Sequence, residues 1–341
     1  MTRMRIVVWA DMVCPWSYVG KRRLDRALER WHAEGGEPVE VRWLPYRVDP
    51  TAPDTPEPLA EVLDTPMAEE IALRCGGGST ATAVRQRVAD IALAEGLGPP
   101  WGAAWRVNSF DAHRLLALAH ERGAPGTQHQ LAERLLRAHF VERRVISDRD
   151  VLLSLADEVG LGDLGAAMDA GEGAEQVRTA LLRGKARGVA TSPTFVVGRR
   201  AVAGAQPVEA LLDLLRQPVE PVAVTGPVAD FREAEALLAL NDPLGALRLL
   251  RPLLDEHGDD RAVRLLAARA YLASAQLNRA AATLEGLVAQ DPADDYARFL
   301  LGRSAERRGR SEEALRHYRV AVALAPRPEY AEAAARARAE V

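Results

Sequence analysis

The sequence has few cysteines and almost no lysines. Its 341 residues include two cysteines, Cys14 and Cys75, far apart in the chain. Two cysteines cannot build a disulfide framework, and their spacing does not match a metal-ligand motif. We therefore expect no metal site. Because neither a disulfide nor a metal role is expected, a cysteine at a structurally special position is predicted to be chemically reactive.

Long apolar runs and an excess of basic charge are also missing. No run approaches the roughly 20 residues that span a bilayer. The apolar run of residues 4–10 is followed at once by Asp11, whereas a signal peptide needs a longer stretch and a small-residue cleavage site. The net charge of −4 argues against a nucleic-acid surface. We expect a cytoplasmic protein that binds neither membrane nor nucleic acid, in a compartment where thiols stay reduced.

The composition predicts a folded protein with a hydrophobic core, since hydrophobic residues make up 48% of the chain. Residues 4–10 read as a buried strand, residues 39–47 as a second strand, and apolar residues at helical spacing lie between them. The chain therefore opens with a strand–helix–strand unit. The strand pattern returns at residues 194–197 and 201–203, before a helix that opens near Pro207.

Between these two halves, residues 67–187 have a helical pattern. Residues 1–217 thus predict an α/β thioredoxin core that is split by a helical insertion. Residues 218–226 are rich in proline and predict a semi-extended linker. Residues 227–341 predict a separate all-α domain, so the chain has two domains.

The all-α part repeats with a period of 34 residues, in segments 227–260, 261–294 and 295–328. Small residues that allow close helix packing recur in phase: Ala234, Ala268 and Gly302, and again Ala246, Ala280 and Ala314. The pattern resembles three tetratricopeptide repeats. Residues 329–341 would form the polar-faced capping helix that such arrays need for solubility.

The resemblance to these repeats implies a groove for a protein or peptide partner. The residues that would line it are Phe231, Leu265, Arg269, Phe299 and Arg303. The same face could instead pack against the thioredoxin domain or a second subunit. The groove lacks the Asn and Lys set that clamps a carboxylate in some repeats of this type, so a free peptide C-terminus is not expected.

The chemistry is predicted at Cys14, in the CPWS segment between the first strand and the first helix. Pro15 suits the first helical position, which places Cys14 at the helix start. Unpaired backbone N–H groups and the positive end of the helix dipole stabilise a thiolate there. We therefore expect the pKa of Cys14 to be lowered, which would make it a nucleophile at neutral pH.

Three sequence blocks resemble the FrnE-type DsbA proteins of the thioredoxin fold. They are DMVCPWSYVGKRRL, NSFDAHRLLALA and GVATSPTFVVGRRAVAGAQP, which occur in this order within residues 4–216. The resemblance implies a redox-active cysteine at Cys14 and a cis-proline at Pro193. It implies further that Pro15, Trp16, Ser192 and His113 contact a thiol-bearing substrate.

The chain departs from that family at Ser17, where the family has its second cysteine. A two-cysteine enzyme releases a trapped mixed disulfide with its second thiol, and a serine cannot do so. Ser17 can still donate a hydrogen bond to the Cys14 thiolate. Three routes stay open: exchange by one thiol that a free thiol resolves, resolution by Cys75, or a domain that binds thiols without turnover.

The predicted function is therefore thiol–disulfide exchange through Cys14 alone, on a thiol-bearing protein or a small thiol, with the client recruited by the repeats. No tightly bound cofactor is expected, although a low-molecular-weight thiol could act as co-substrate. Two alternatives are a non-enzymatic adaptor with a degenerate thioredoxin domain and a small-thiol-dependent isomerase or transferase. The second alternative fits less well because its resemblance implies Ser where this chain has Cys14.

Overall fold

The structure, a computed structural model, describes residues 4–63, 70, 81–217 and 226–341. The chain forms two compact units, one of Met1–Gly184 with Gly188–Val222 and one of Lys185–Arg187 with Ala223–Val341. Cys75 and all of the predicted linker except Gly226 lie outside the described residues.

The described strands of the first unit form two sheets. In chain order they are β1 (Met4–Ala10), β2 (Val39–Pro45), β3 (Glu57–Pro58), β4 (Trp105–Arg106), β5 (Thr194–Val197) and β6 (Arg200–Ala203). The larger sheet has the order β2-β1-β5-β6, in which β1 is parallel to β2 and antiparallel to β5. The predicted strand–helix–strand start and the late hairpin are confirmed. The β3–β4 pair is an addition that we did not predict.

The described helices of the first unit surround this sheet. They are α1 (Pro15–Ala33), α2 (Leu59–Val62), α3 (Ala81–Ala94), α4 (Phe110–Arg122), α5 (Thr127–Phe140), α6 (Arg149–Asp157), α7 (Gly165–Asp169), α8 (Ala174–Ala186) and α9 (Val208–Arg216). One hydrophobic core joins the sheet to α1, α4, α5 and α9, and it includes Ile6, Val8, Leu24, Leu115 and Leu211. Burial of these side chains removes apolar surface from water, which stabilises the fold at about 25 cal/mol per Å².

The second unit consists of helix pairs. Its helices are α10 (Pro227–Ala239), α11 (Pro243–Glu256), α12 (Arg261–Ala273), α13 (Leu277–Gln290), α14 (Asp295–Arg307), α15 (Ser311–Leu324) and α16 (Pro328–Ala339). The small residues predicted in phase are buried, as at Ala268 and Gly302. A methyl group on Gly302 would lie 2.6 Å from the Tyr318 ring, so this position needs glycine as the helices stand.

Two local details explain how helices of the first unit begin. Asp148 caps α6 by accepting the Val151 N–H at 3.0 Å, which satisfies a backbone donor that the helix leaves free. Before α4, the Asn108 side chain accepts the Phe110 N–H at 3.0 Å, whereas Ser109 makes no side-chain cap. Throughout the described ranges, each helix is too short or too polar to cross a bilayer.

Candidate active site

Cys14 is the residue at which the chain turns from β1 into α1. Its N–H donates to the Asp11 carbonyl at 3.2 Å, and its own carbonyl accepts the Ser17 N–H at 2.9 Å. Cys14 has extended backbone angles and Pro15 follows as the first helical residue. The side chain is 6% exposed. The sequence therefore places the thiol at a helix N-terminus, as predicted, but in a largely enclosed position.

A distant loop completes the surroundings of the thiol. The Ser192–Pro193 peptide bond is cis, and β5 begins at the next residue, Thr194. The Cys14 thiol donates to the Ser192 carbonyl, with 3.4 Å between Sγ and the oxygen. The Ser17 and Ser192 hydroxyls are hydrogen-bonded at 2.9 Å. Residues that are 175 positions apart thus share one polar cluster around the sulfur.

Helix α1 approaches the Pro193 ring closely at Gly20. A methyl group on Gly20 would lie 2.8 Å from Pro193 Cγ and 3.1 Å from the Phe195 ring. The Pro193 carbonyl accepts the Gly204 N–H at 2.7 Å, which ties the loop to the following hairpin. Glycine at position 20 therefore sets the distance between the helix that carries Cys14 and the loop that carries Ser192.

The predicted direction of the Cys14 pKa is wrong. Burial raises the pKa of the Cys14 thiol, and the negative charge of Asp11 raises it further. Hydrogen bonds from Ser192 and Ser17 act in the opposite direction without reversing the shift. The desolvation of a charged sulfur outweighs the stabilisation that the helix start offers. In this conformation Cys14 is a protonated thiol that donates to a carbonyl.

Asp11 is the functional candidate that the sequence did not single out. It is fully buried, and its carboxylate accepts the Val48 N–H at 2.7 Å. His113 Nε2 lies 3.3 Å from the same carboxylate and 3.1 Å from the Tyr46 carbonyl. Both neighbours accept hydrogen bonds, so Nε2 carries a hydrogen. The Asp11 N–H donates to the Ser192 hydroxyl at 2.9 Å, which links this pair to the thiol cluster.

The environment keeps Asp11 ionised. Burial raises its pKa, but the hydrogen bond and charge of His113 and the Val48 N–H lower it more, so the pKa lies below its usual range. His113 is 2% exposed. It contacts the Asp11 carboxylate, and the substrate contact that the family resemblance implied for His113 stays a prediction.

The remaining predicted residues of this site differ in exposure. Pro15 and Trp16 are half-buried, and Trp16 packs against the main core. Ser17 and Ser192 are buried beside the sulfur. Cys75 lies outside the described residues. Within the described ranges, His, Cys, Asp and Glu form no group of three or more that could hold a metal ion.

A second, partly buried polar cluster joins α1 to α5. Lys21 Nζ lies 2.9 Å from Asp25 and 3.0 Å from Glu133. The Tyr18 hydroxyl donates to Glu133 at 2.8 Å. His129 contacts Asp25 through Nε2 at 2.7 Å while its Nδ1 accepts from the Trp43 indole at 3.0 Å. Each charge has a partner, so this cluster fixes the two helices against each other.

The residues predicted to line a partner groove lie on the first helix of each repeat. Phe231 is on α10, Leu265 and Arg269 on α12, and Phe299 and Arg303 on α14. The three apolar side chains are half-buried, whereas Arg303 is exposed.

Phe299 is partly engaged in packing between neighbouring helices. Its ring stacks on Tyr330 with 4.5 Å between centroids and lies 5.7 Å from the Tyr318 ring. Arg269 lies 3.9 Å from Glu235. Leu265 also packs in part against the core of the repeats, so the groove for a partner stays a prediction.

Comparison with known proteins identifies both parts of the chain. The family model described as DSBA-like thioredoxin domain matches residues 5–216, and the one described as tetratricopeptide repeat matches residues 237–298. The uncharacterized protein YwbO of Bacillus subtilis (strain 168) is 26% identical over 209 residues, which cover 59% of this chain and 90% of YwbO.

Among solved structures, the probable DsbA oxidoreductase SCO1869 of Streptomyces coelicolor superposes with a TM-score of 0.51 at 29% identity. The match covers 66% of this chain and 97% of that protein. The predicted fold class, a thioredoxin fold followed by an all-α repeat region, is confirmed.

Proposed function

The chain belongs to the DSBA-like thioredoxin-domain family and carries a tetratricopeptide-repeat region, and on that premise we propose that it performs thiol–disulfide exchange through Cys14 alone. The repeats recruit the client, and a small thiol completes the cycle. The observation that carries this proposal is the cluster of Cys14, Ser17 and Ser192 at the start of α1, with 3.4 Å between the sulfur and the Ser192 carbonyl. The similarity to a probable DsbA oxidoreductase supports it.

The exchange needs three attacks by thiolate, one by Cys14 and two by a small thiol. Cys14 loses its proton to solvent, and its sulfur attacks one sulfur of a client disulfide. A new S–S bond joins Cys14 to the client while the client's other sulfur leaves with the bonding electrons as a thiolate. Ser17 cannot attack this mixed disulfide, so a small thiolate attacks the Cys14 sulfur and the client leaves as a thiolate. A second small thiolate then attacks the small-thiol sulfur of the new mixed disulfide, which frees Cys14 as a thiolate. Overall, two small thiols are oxidised to their disulfide and one client disulfide is reduced to two thiols.

The raised pKa of Cys14 determines how the rate depends on pH. The thiolate is the attacking species, so the rate should rise with pH through the neutral and mildly alkaline range rather than being saturated at pH 7. Ser17 and Ser192 stabilise the thiolate once it forms, because hydrogen bonds to the charged form favour it.

The decisive experiment follows release of a coloured thiol from a small aromatic disulfide. Wild-type protein should release one equivalent and stop, with the probe held on Cys14, until a small thiol is added. Ser17→Cys should release a second equivalent without added thiol and then stop as an internal disulfide with Cys14, because its new thiol resolves the mixed disulfide. Cys14→Ala should lose the burst, and Cys75→Ala is the matched control that should keep it.

Two results would overturn this assignment. A Cys14→Ala protein with the wild-type rate would remove Cys14 from the chemistry. Loss of the probe from Cys14 with release of a second equivalent, without added thiol and abolished by Cys75→Ala, would make Cys75 the resolving residue and refute the one-thiol cycle.

The burial and raised pKa of Cys14 also favour a second candidate, a non-enzymatic adaptor. In that case, client capture survives Cys14→Ala and is lost in a Phe231→Ala, Arg303→Glu double variant. Phe299 is left intact in this variant because its ring packs on Tyr330. Capture that requires Cys14 and ignores the groove variant would favour the enzyme.

A further inference from the structure

Ser192 fastens the loop before β5 to the turn that carries Cys14. Its hydroxyl accepts the Asp11 N–H at 2.9 Å and is hydrogen-bonded to the Ser17 hydroxyl at 2.9 Å. Its carbonyl accepts the Cys14 thiol, with 3.4 Å between the sulfur and the oxygen. Cys14, Ser17 and Ser192 are all buried. Three hydrogen bonds from one residue of the loop therefore converge on the reactive turn.

The same loop is also held by contacts that do not involve the reactive turn. The Ala190 carbonyl accepts the Tyr46 hydroxyl at 3.0 Å, and the Pro193 carbonyl accepts the Gly204 N–H at 2.7 Å. Loss of the Ser192 contacts would leave the loop tethered at both of these points. The part that can lift away from the sulfur is therefore short and centred on Ser192.

The bond between the loop and α1 depends on a hydroxyl at position 17. A serine hydroxyl both donates and accepts well, whereas a cysteine thiol is a weak donor and a weak acceptor. With the cysteine that the family resemblance implies at position 17, the bond to Ser192 would be weaker. Ser17 thus strengthens the contact between the loop and the turn, although it cannot act as a resolving thiol.

We propose that the Ser17–Ser192 hydroxyl pair is a latch that keeps the loop before β5 closed against the Cys14 sulfur, so that Cys14 reacts only when the loop opens. A client disulfide must bring its own sulfur into contact with Cys14, and a side chain that is 6% exposed leaves no room for it. Local opening of a short loop supplies that room at a modest cost in free energy. The inference rests on the proposed function, since the latch controls access to the same cysteine.

A change in access to the sulfur can be measured separately from a change in thiolate formation. Iodoacetamide and a bulky dye-labelled iodoacetamide carry the same reactive group and are attacked by the same thiolate. At one pH, the ratio of their rates cancels the fraction of thiolate and its nucleophilicity, and it retains the effect of probe size. A neutral hydrogen bond contributes about a two- to tenfold factor to an equilibrium, and loss of the latch should raise the ratio of bulky to small rate by a factor in this range.

Two variants weaken the latch to different extents. Both carry Cys75→Ala, so that Cys14 alone reports. Ser17→Ala removes the bond between the two hydroxyls and leaves the bond from the Asp11 N–H to Ser192 in place. Ser192→Ala removes both bonds, so it should raise the ratio at least as far as Ser17→Ala does.

The matched control is Thr194→Val in the same Cys75→Ala background. It removes a buried hydroxyl at the end of the same loop, which donates to the Thr191 carbonyl at 2.8 Å. Its ratio should stay at the parent value. An equal rise in the control and in the latch variants would indicate general loosening of the loop and overturn the inference.

The expected result is a higher ratio in both latch variants. A ratio that stays at the parent value, even if both probes react faster or more slowly, would show that the two hydroxyls act on the thiolate alone and would refute the latch. Alkylation requires no disulfide exchange. Failure of the proposed function, seen as a wild-type rate of disulfide exchange in Cys14→Ala, is therefore distinguishable from failure of the latch.

Discussion

His139 makes the first unit sensitive to acid. The side chain is on α5, is 2% exposed, and has its ring edge-on to Phe140 with 4.7 Å between centroids. Its Nδ1 has no hydrogen-bond partner among the described residues. Burial lowers its pKa from 6.5 to about 4, against the weaker attraction of Asp11 for the charged form. The folded protein therefore resists protonation of His139 more than the unfolded chain does.

The direction and size of the change in stability follow from the linkage between proton binding and folding. Between pH 6.5 and pH 4 the unfolded chain binds a proton that the folded protein excludes, so the free energy of unfolding falls as pH falls through this window. The stabilisation is complete above the unfolded pKa. A difference of roughly 2.5 pKa units corresponds to about 3 kcal/mol in total, of which about 2 kcal/mol is lost between pH 7 and pH 4.5.

Tryptophan fluorescence provides the assay, because all six tryptophans lie between Trp9 and Trp105 in the first unit. Urea unfolding is followed at pH 7 and at pH 4.5 for wild type and for His139→Gln, which does not titrate. Wild type should lose about 2 kcal/mol more than the variant on acidification. Equal losses would refute the reasoning and assign the acid sensitivity to other groups.

Two glycine positions yield further predictions. Gly20→Ala, whose methyl group would lie 2.8 Å from Pro193, should lower the free energy of unfolding by about 1–3 kcal/mol and change the rate at which Cys14 reacts. Gly162→Ala is the control, since its nearest neighbour is 4.0 Å away, and an equal loss there would contradict the packing argument. Gly302→Ala should destabilise the repeat unit by a similar amount, because the added methyl group would meet the Tyr318 ring. Circular dichroism measures the unfolding transition, and an unchanged transition would show that the ring moves aside.

Periodicity predicted the elements that are long enough to show it. Residues 4–10 form β1 as expected, and the repeated spacing of small and apolar residues located the helix pairs of the second unit. The β3–β4 pair was missed because each strand has only two residues, too few for an alternating pattern. Their pairing depends on residues that are far apart in the sequence.

The members of the site were found by different means. Cys14 could be found from its turn between a strand and a helix, whereas Ser192 and Pro193 depended on the resemblance to a family. Asp11 had no recognisable signal, because one acidic residue after a strand is typical of an exposed turn. Only its burial against His113 makes it a candidate, and that contact forms between residues about a hundred positions apart.

The sequence predicted the wrong direction for the Cys14 pKa because it shows the helix start, which lowers the pKa, but not the burial, which raises it. A helix start can be recognised from Cys14-Pro15, and its dipole contributes about 0.3–1 kcal/mol, or about 2 kcal/mol in favourable cases. Full burial can shift a pKa by up to about 3–5 units, which is about 4–7 kcal/mol. The dipole belongs to α1 and is constant, whereas burial depends on what packs over the sulfur. The pKa of Cys14 is therefore raised mainly by the groups that bury the sulfur, which a strand–turn–helix pattern in a sequence does not show.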